Sequence, residues 1–106
     1  MSWIYLVIAG LFEIGFTTFI KLSENFTKLW PTLIFLVLAV FSFLALSMSL
    51  KGIPLGTAYA VWTGIGAFGT ALIGIVYFNE SADFWRVLFL ITLIFSIIGL
   101  KFVSPD

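Results

Sequence analysis

The sequence predicts an all-α membrane protein with four transmembrane helices. Hydrophobic residues make up 62% of its 106 residues and charged residues only 9%, whereas a soluble domain is about half apolar and about a quarter charged. Charged residues and prolines divide the chain into four apolar segments, each near the ~17–25 residues that a helix needs to cross a bilayer. We therefore expect a single four-helix domain, residues 1–106, that crosses the membrane several times.

The first predicted span, residues 3–20, contains one charged residue, Glu13. In a membrane-spanning helix this carboxylate would lie near the bilayer midplane, where an ionised side chain costs at least about 2.5–3.5 kcal/mol. A chain selected only to reside in lipid would carry an apolar residue at this position. Glu13 is therefore the predicted functional centre, and we expect the other helices to shape its surroundings.

The second predicted span, residues 30–50, carries three serines in a run rich in Phe and Leu: Ser42, Ser47 and Ser49. Serines inside a membrane usually donate a hydrogen bond to their own helix, which is the simplest interpretation of all three. Ser42 differs from the others because its depth would let its hydroxyl reach the carboxylate of Glu13.

The third predicted span, residues 55–78, has small residues at every third or fourth position: Gly56, Ala60, Gly64, Ala67, Ala71 and Gly74. Such a stripe lets two helix backbones approach closely in lipid. The cluster of Gly64, Gly66 and Gly69 exceeds what packing requires, since glycine weakens a helix relative to alanine. Glycine pairs are a usual cause of kinks, so we expect a hinge at this cluster.

Two aromatic residues, Tyr59 and Trp62, lie on a neighbouring face of the third span. Trp62 is too far inside the span to belong to an interfacial belt. A buried indole N–H normally needs a hydrogen-bond acceptor, and the strong acceptor expected at this depth is the carboxylate of Glu13. We favour an aromatic-lined site around Glu13 over an interpretation in which Trp62 is merely packed.

The fourth predicted span, residues 84–102, has no charge between Arg86 and Lys101 and is followed by a polar end, Ser104, Pro105 and Asp106. Its polar and small residues recur at spacings of four and three, at Thr92, Ser96 and Gly99. This pattern indicates a face for helix packing or for a dimer contact.

The basic residues of the connections barely specify an orientation in the membrane. Lys21, Lys28 and Arg86 lie on one side, and Lys51 and Lys101 lie on the other, although a clear excess of Lys and Arg normally marks the cytoplasmic side. Either another feature selects one orientation, or copies insert both ways and pair as an antiparallel dual-topology homodimer.

Composition excludes many functions. With no Cys and no His, we expect no thiolate chemistry, no Ser–His triad, no metal site and no cofactor. The single carboxylate inside the predicted spans cannot provide a glycosidase pair, and zero net charge argues against nucleic-acid binding. We therefore predict that the chain is not an enzyme.

The remaining chemistry is the exchange of protons for cations. A buried carboxyl group can hold a proton or a cation but not both favourably, and this competition suffices for coupled antiport. Four helices can barely enclose a cavity, so we expect two copies to share a site in which both Glu13 side chains titrate as a coupled pair.

The chain resembles the small multidrug resistance family along essentially its whole length. Three motifs carry the resemblance: Gly10-Leu11-Phe12-Glu13, the run from Lys51 through Pro54-Leu55-Gly56-Thr57-Ala58-Tyr59-Ala60-Val61-Trp62-Thr63-Gly64 to Ala67, and Ile98-Gly99-Leu100-Lys101. The middle motif is similar to the guanidinium-exporter subtype more than to the quaternary-ammonium subtype.

The resemblance implies an antiparallel homodimer in the inner (plasma) membrane that exchanges protons for small organic cations. Glu13 would then bind protons and substrate. Tyr59 and Trp62 would line the site and hold the carboxylate, Ser42 would hydrogen-bond it, and Gly10 would make room beside it. The glycines from 64 to 69 would supply the bend, and the fourth span would supply the dimer contact.

One residue departs from the subtype pattern, which usually has Trp one turn after the glutamate where this chain has Phe16. Phe16 keeps an aromatic wall but removes an N–H donor, which Thr17 and Thr18 are candidates to replace. Guanidinium can pair with a carboxylate through two N–H groups, whereas quaternary ammonium relies on charge and aromatic faces. Three functions therefore stay open: export of guanidinium compounds, export of quaternary ammonium or other lipophilic cations by the same mechanism, and a subunit of an obligate heterodimeric transporter or flippase.

Overall fold

The computed structural model describes residues 1–103. The predicted polar end at Ser104, Pro105 and Asp106 lies outside the described residues. Within them the chain forms four α-helices and no strands: α1 Ser2–Leu22, α2 Leu29–Ser49, α3 Leu55–Tyr77 and α4 Phe84–Val103. The prediction of an all-α chain with four long helices is confirmed.

Proline and polar residues determine where the helices begin and end. Pro31 lies in the first turn of α2, where its missing N–H has no intrahelical partner to lose, and Pro54 directly precedes α3. Each of the four helices is long and apolar enough to cross a membrane. Charged side chains lie in the connections or near the helix ends, with Glu13 as the exception in the described part of the chain.

α1 is the central helix of the packing. It packs along α2 and α3, whereas α4 packs against α3 and contributes no buried residue. The buried apolar core is small and joins α1, α2 and α3 with the α2–α3 connection: Leu6, Ala9, Ala45, Ile53, Ala58, Val61 and Trp62. The outward faces carry large apolar side chains, which suits a surface in contact with lipid.

The connection between α1 and α2 is a tight left-handed turn. Glu24, Asn25 and Phe26 have φ values of 48°, 63° and 65°, a region in which each L-residue with a side chain is disfavoured by about 1–2 kcal/mol. The buried hydroxyl of Ser23 holds the turn, since it donates to the Ile20 carbonyl at 2.7 Å and accepts from the Phe26 N–H at 3.1 Å. This turn brings α1 and α2 side by side around Glu13.

Candidate functional site

Glu13 lies in the middle of α1 and its carboxylate packs against α3. The carboxylate oxygen Oε1 is buried and has no hydrogen-bond partner among the described residues. The carboxylate occupies the space in which a Cβ at Gly66 would lie. Only a residue without a side chain at position 66 allows the carboxylate to approach the α3 backbone so closely.

Each glycine of the α3 cluster makes room for a side chain from another helix. A Cβ at Gly69 would collide with Ile14 of α1, and a Cβ at Gly64 would lie 2.8 Å from Ile97 of α4. The helix is continuous from Leu55 to Tyr77, with no glycine at positive φ in the described residues. The structure thus explains these glycines by close packing, and the hinge at Gly64, Gly66 and Gly69 stays a prediction.

Ser42 and Trp62 form a buried hydrogen-bond chain that ends on the backbone of α1. The indole Nε1 of Trp62 donates to the Ser42 hydroxyl at 3.0 Å, and that hydroxyl donates to the carbonyl of Ala9 at 2.7 Å. The expected hydrogen bonds from Trp62 and Ser42 to the carboxylate are therefore not formed in this structure. Ala9 lies one turn before Glu13, and its small side chain lets α2 approach the α1 backbone.

Two further predicted lining residues, Tyr59 and Gly10, differ in their burial. Tyr59 is exposed, and its ring lies 5.9 Å from that of Trp62. Gly10 is buried and makes room for Ile65 of α3, which would clash with a Cβ at position 10. Gly10 therefore makes room for α3 one turn before the carboxylate rather than directly at it.

Phe16 belongs to a continuous row of aromatic rings. Its ring lies 5.8 Å from Phe35 in an edge-on arrangement and 6.2 Å from Phe43, and Phe43 lies 5.6 Å from Trp62. Phe43 thus connects Phe16 with Trp62. Sequence reasoning missed it, because α2 carries several phenylalanines and neither spacing nor composition distinguishes one of them.

The two threonines that follow Phe16 do not replace the missing indole donor. The Thr18 hydroxyl donates to the Ile14 carbonyl at 2.8 Å. The Thr17 hydroxyl contacts that of Thr70 on α3 at 2.6 Å. Neither hydroxyl bonds the carboxylate of Glu13, so that expectation was wrong for this conformation.

The predicted dimer-contact residues form part of an open face of α4. Thr92, Ser96 and Gly99 are exposed, and no atom lies within 4 Å of the position that a Cβ at Gly99 would take. The Thr92 hydroxyl donates to the Leu88 carbonyl of its own helix at 2.9 Å. The face therefore has no partner within the described part of one copy.

No cation of the described chain pairs with Glu13. The ion pairs in residues 1–103 join Lys28 to Glu24 and Arg86 to Glu80, each at 2.7 Å, and both lie at the connections. The described residues hold no cluster of three or more metal-ligating side chains. The Glu13 carboxylate is therefore available for a proton or for a cation from outside the chain.

Comparison with known proteins identifies the family. The family profile described as Small Multidrug Resistance protein matches residues 1–94. The chain is 50% identical over 104 residues to proteins named guanidinium exporter from Proteus vulgaris and from Yersinia pseudotuberculosis serotype I (strain IP32953), covering 98% of this chain and all of each relative. It is 46% identical over 101 residues to the guanidinium exporter of Escherichia coli (strain K12), covering 95% of this chain and 96% of that protein. With four helices that have the length and hydropathy of membrane spans, the chain is a multi-pass membrane protein that belongs to the small multidrug resistance family.

Proposed function

We propose that this protein is an antiporter that exports guanidinium or substituted guanidinium cations in exchange for protons. The observation that carries the proposal is the carboxylate of Glu13, which lies in the middle of a membrane-spanning helix with one buried oxygen and no hydrogen bond to it. The relatives named guanidinium exporters, at 46–50% identity over nearly the whole chain, support the cargo.

The exchange follows from competition at one group. A planar guanidinium can donate two parallel N–H bonds to the two carboxylate oxygens, and this requires the ionised form. Protonation removes one acceptor and the negative charge, so a proton displaces the cation. Because either ligand neutralises a charge that is costly in the membrane, the carboxylate is stable when it carries one of them and unfavourable when it carries neither.

An antiparallel homodimer is the assembly that we propose, in the inner membrane. In one copy Glu13 is only partly buried, and α4 leaves an open face. A second copy would cover both the exposed part of Glu13 and the open face of α4, and would add its own Glu13 to the site. The three basic residues on one side against two on the other favour no orientation strongly, which supports copies inserted in both directions.

Quaternary ammonium compounds are the second candidate cargo. The indole N–H of Trp62 is donated to Ser42, and the hydroxyls of Thr17 and Thr18 are bonded elsewhere. Among the described residues no side chain thus donates a hydrogen bond that would orient the carboxylate for a planar guanidinium, while Phe16, three residues after Glu13, supplies an aromatic ring on the same helix. Charge and aromatic faces are sufficient to bind a cation that has no N–H groups.

Proton flux in liposomes that contain the purified protein tests the mechanism and the cargo together. Guanidinium added on one side should drive protons in the opposite direction, towards the side of addition, and Glu13→Gln should abolish this flux. Glu24→Gln is the matched control, because Glu24 is an exposed connection residue and its loss should leave the flux unchanged. Flux that survives Glu13→Gln would disprove the mechanism.

A panel of cations in the same liposomes decides the cargo. Activity with guanidinium and its substituted forms supports the first candidate, and activity with alkylammonium alone supports the second.

Cross-linking of the single purified chain tests the assembly. A dimer that forms only when a second gene product is added would favour the heterodimer instead.

A further inference from the structure

The threonine pair formed by Thr17 and Thr70 is the direct polar link between α1 and α3. Their hydroxyl oxygens are 2.6 Å apart. Among residues 1–103, no other side-chain hydrogen bond joins these two helices, since Ser42 links α2 to α1 and Trp62 links α3 to α2. Close contacts between α1 and α3 near Glu13 also include the Glu13 carboxylate against Gly66 and Ile14 against Gly69.

The donors and acceptors of this pair can be assigned. The Thr17 oxygen also lies 3.0 Å from the carbonyl oxygens of Glu13 and Ile14. A threonine hydroxyl has one hydrogen and two lone pairs. When Thr17 donates that hydrogen to its own helix, Thr70 must donate to Thr17, and Thr70 has no other side-chain partner in the described chain. Thr70 of α3 therefore donates to the Thr17 hydroxyl, which is itself bonded to the carbonyls of Glu13 and Ile14 on α1.

The pair lies one helical turn beyond the candidate site on both helices. Thr17 follows Glu13 by four residues, and Thr70 follows Gly66 by four residues, a spacing that places each pair on one helix face. Gly69 accommodates Ile14 between the two layers. The carboxylate of Glu13 and the hydroxyl of Thr17 thus face α3 along the same line of contact.

Close packing against glycine restrains how far one helix is shifted along another. Gly66 and Gly69 admit Glu13 and Ile14 of α1, but van der Waals contacts are individually weak and less directional than a hydrogen bond. A hydroxyl pair at 2.6 Å is satisfied at one relative position only, because hydrogen bonds weaken steeply with distance and angle. The pair consequently specifies the position at which the carboxylate meets Gly66 rather than a neighbour that carries a Cβ.

We infer that Thr70 is a positioning residue for Glu13 and acts through Thr17, the 2.6 Å hydroxyl pair setting the α1–α3 register that places the carboxylate on Gly66. The inference rests on the proposed function, because it gives Thr70 a role in the proton and cation site at Glu13. Loss of the pair leaves the volume of the interface nearly unchanged when valine replaces threonine. It frees the Glu13 turn to shift, which changes how readily the carboxylate exchanges a proton for a cation.

The test compares four variants by guanidinium binding to the purified protein across a range of pH. Thr70→Val and Thr17→Val should each change the apparent affinity at fixed pH by about threefold or more, the size expected for one interhelical hydrogen bond in a membrane, and should move the pH of half-maximal binding. The double variant should be no worse than either single variant, since the two residues act through one bond. Thr70→Ser keeps the hydroxyl and should restore the wild-type pH profile.

Thr32→Val is the matched control. Thr32 lies on α2, and its hydroxyl has one side-chain hydrogen bond within residues 1–103, donated to the carbonyl of Lys28 four residues earlier at 2.7 Å. Its loss should leave the pH profile unchanged. A Thr70→Val protein that unfolds more easily but keeps the wild-type pH profile would reduce the pair to a structural contact and overturn the inference.

A second measurement separates this inference from the proposed cargo. Dicyclohexylcarbodiimide, an apolar reagent for carboxyl groups, should label Glu13 at a rate that Thr70→Val changes by about threefold or more and Thr70→Ser does not, with Glu13→Gln as the background. Labelling needs no transported cation. A wild-type protein that fails to bind guanidinium while this difference persists would refute the cargo and support the positioning role, whereas equal labelling rates would refute the positioning role.

Discussion

At the scale of single residues, Ser42 connects three helices through one hydroxyl. It accepts the indole N–H of Trp62 on α3 and donates to the carbonyl of Ala9 on α1. The indole N–H would otherwise be buried without a partner, and an unsatisfied buried polar group is unfavourable by about 1–3 kcal/mol. The hydroxyl thus orients the indole and holds α2 against the helix that carries Glu13.

Ser42→Ala should lower the free energy of unfolding by about 1–3 kcal/mol, because it removes both bonds and leaves the indole N–H unpaired. Ser47→Ala is the control, since Ser47 is an exposed serine on the same helix without a side-chain hydrogen bond among the described residues. The measurement is the unfolding midpoint in detergent with increasing sodium dodecyl sulfate. Equal midpoints for the two variants would contradict the prediction.

Gly66→Ala should reduce guanidinium-driven proton flux by about tenfold. The new Cβ would occupy the position of the Glu13 carboxylate, and overpacking of a close contact is unfavourable by about 1–3 kcal/mol. Gly56→Ala is the control, because nothing lies within 4 Å of its Cβ position. The prediction fails if both variants transport at the wild-type rate.

At the scale of helices, α4 is the element that a single copy explains least. It packs against α3 through Leu93 and Ile97 near Gly64 and has no buried residue. Its face of Thr92, Ser96 and Gly99 stays open. An exposed helix face such as this requires either lipid or a second protein surface, and the small residue at position 99 suits a close helix–helix contact.

Gly99→Val tests α4 as the dimer contact. In one copy the valine would meet open space, so the fold and the helix content should not change. In a dimer that packs through this face, the added side chain would separate the helices and shift the mass measured by light scattering in detergent from dimer towards monomer. Gly56→Val, which also meets open space on α3, should leave the mass unchanged. If the Gly99→Val protein stays dimeric, residue 99 of α4 does not lie in the dimer interface.

At the scale of the whole molecule, the nearly even distribution of basic residues is the feature with the largest consequence. One added lysine changes three against two into four against two on one side, or into three against three. Because the bias of Lys and Arg sets membrane orientation, substitutions of one or two residues should select orientation when nothing else does.

Ala82→Lys and the double variant Gly52→Lys/Lys28→Gln should bias insertion in opposite directions, since residues 82 and 52 lie in exposed connections on opposite sides and the two proteins carry four against two and two against three basic residues. Each variant alone should lose most of its proton flux if the transporter needs both orientations, and coexpression of the two should restore it. Orientation is measured by the reactivity of a cysteine placed in each connection towards a membrane-impermeant thiol reagent. Full activity of each variant alone, at a proven single orientation, would contradict dual topology.

Much of the architecture follows from the sequence, because span length and the cost of a charge in lipid are properties of each segment by itself. The four spans, the isolated Glu13 and the weak charge bias can all be read without knowing any contact. The candidate site could be predicted only in part. Ser42 and Trp62 lie close together, as a shared site requires. Trp62 donates to Ser42 and Ser42 donates to the Ala9 carbonyl, however, and neither donates to the carboxylate.

The sequence by itself determined that this chain forms four membrane helices with one carboxylate inside them. Only the tertiary structure decided that Gly66 receives that carboxylate, that Phe43 connects Phe16 with Trp62, and that Thr17 pairs with Thr70. These contacts depend on the rotation of each helix about its axis and on its shift along its neighbours. In lipid the inner and outer faces of a helix are both apolar, so hydrophobic periodicity does not specify either quantity, and close packing with a few hydrogen bonds does.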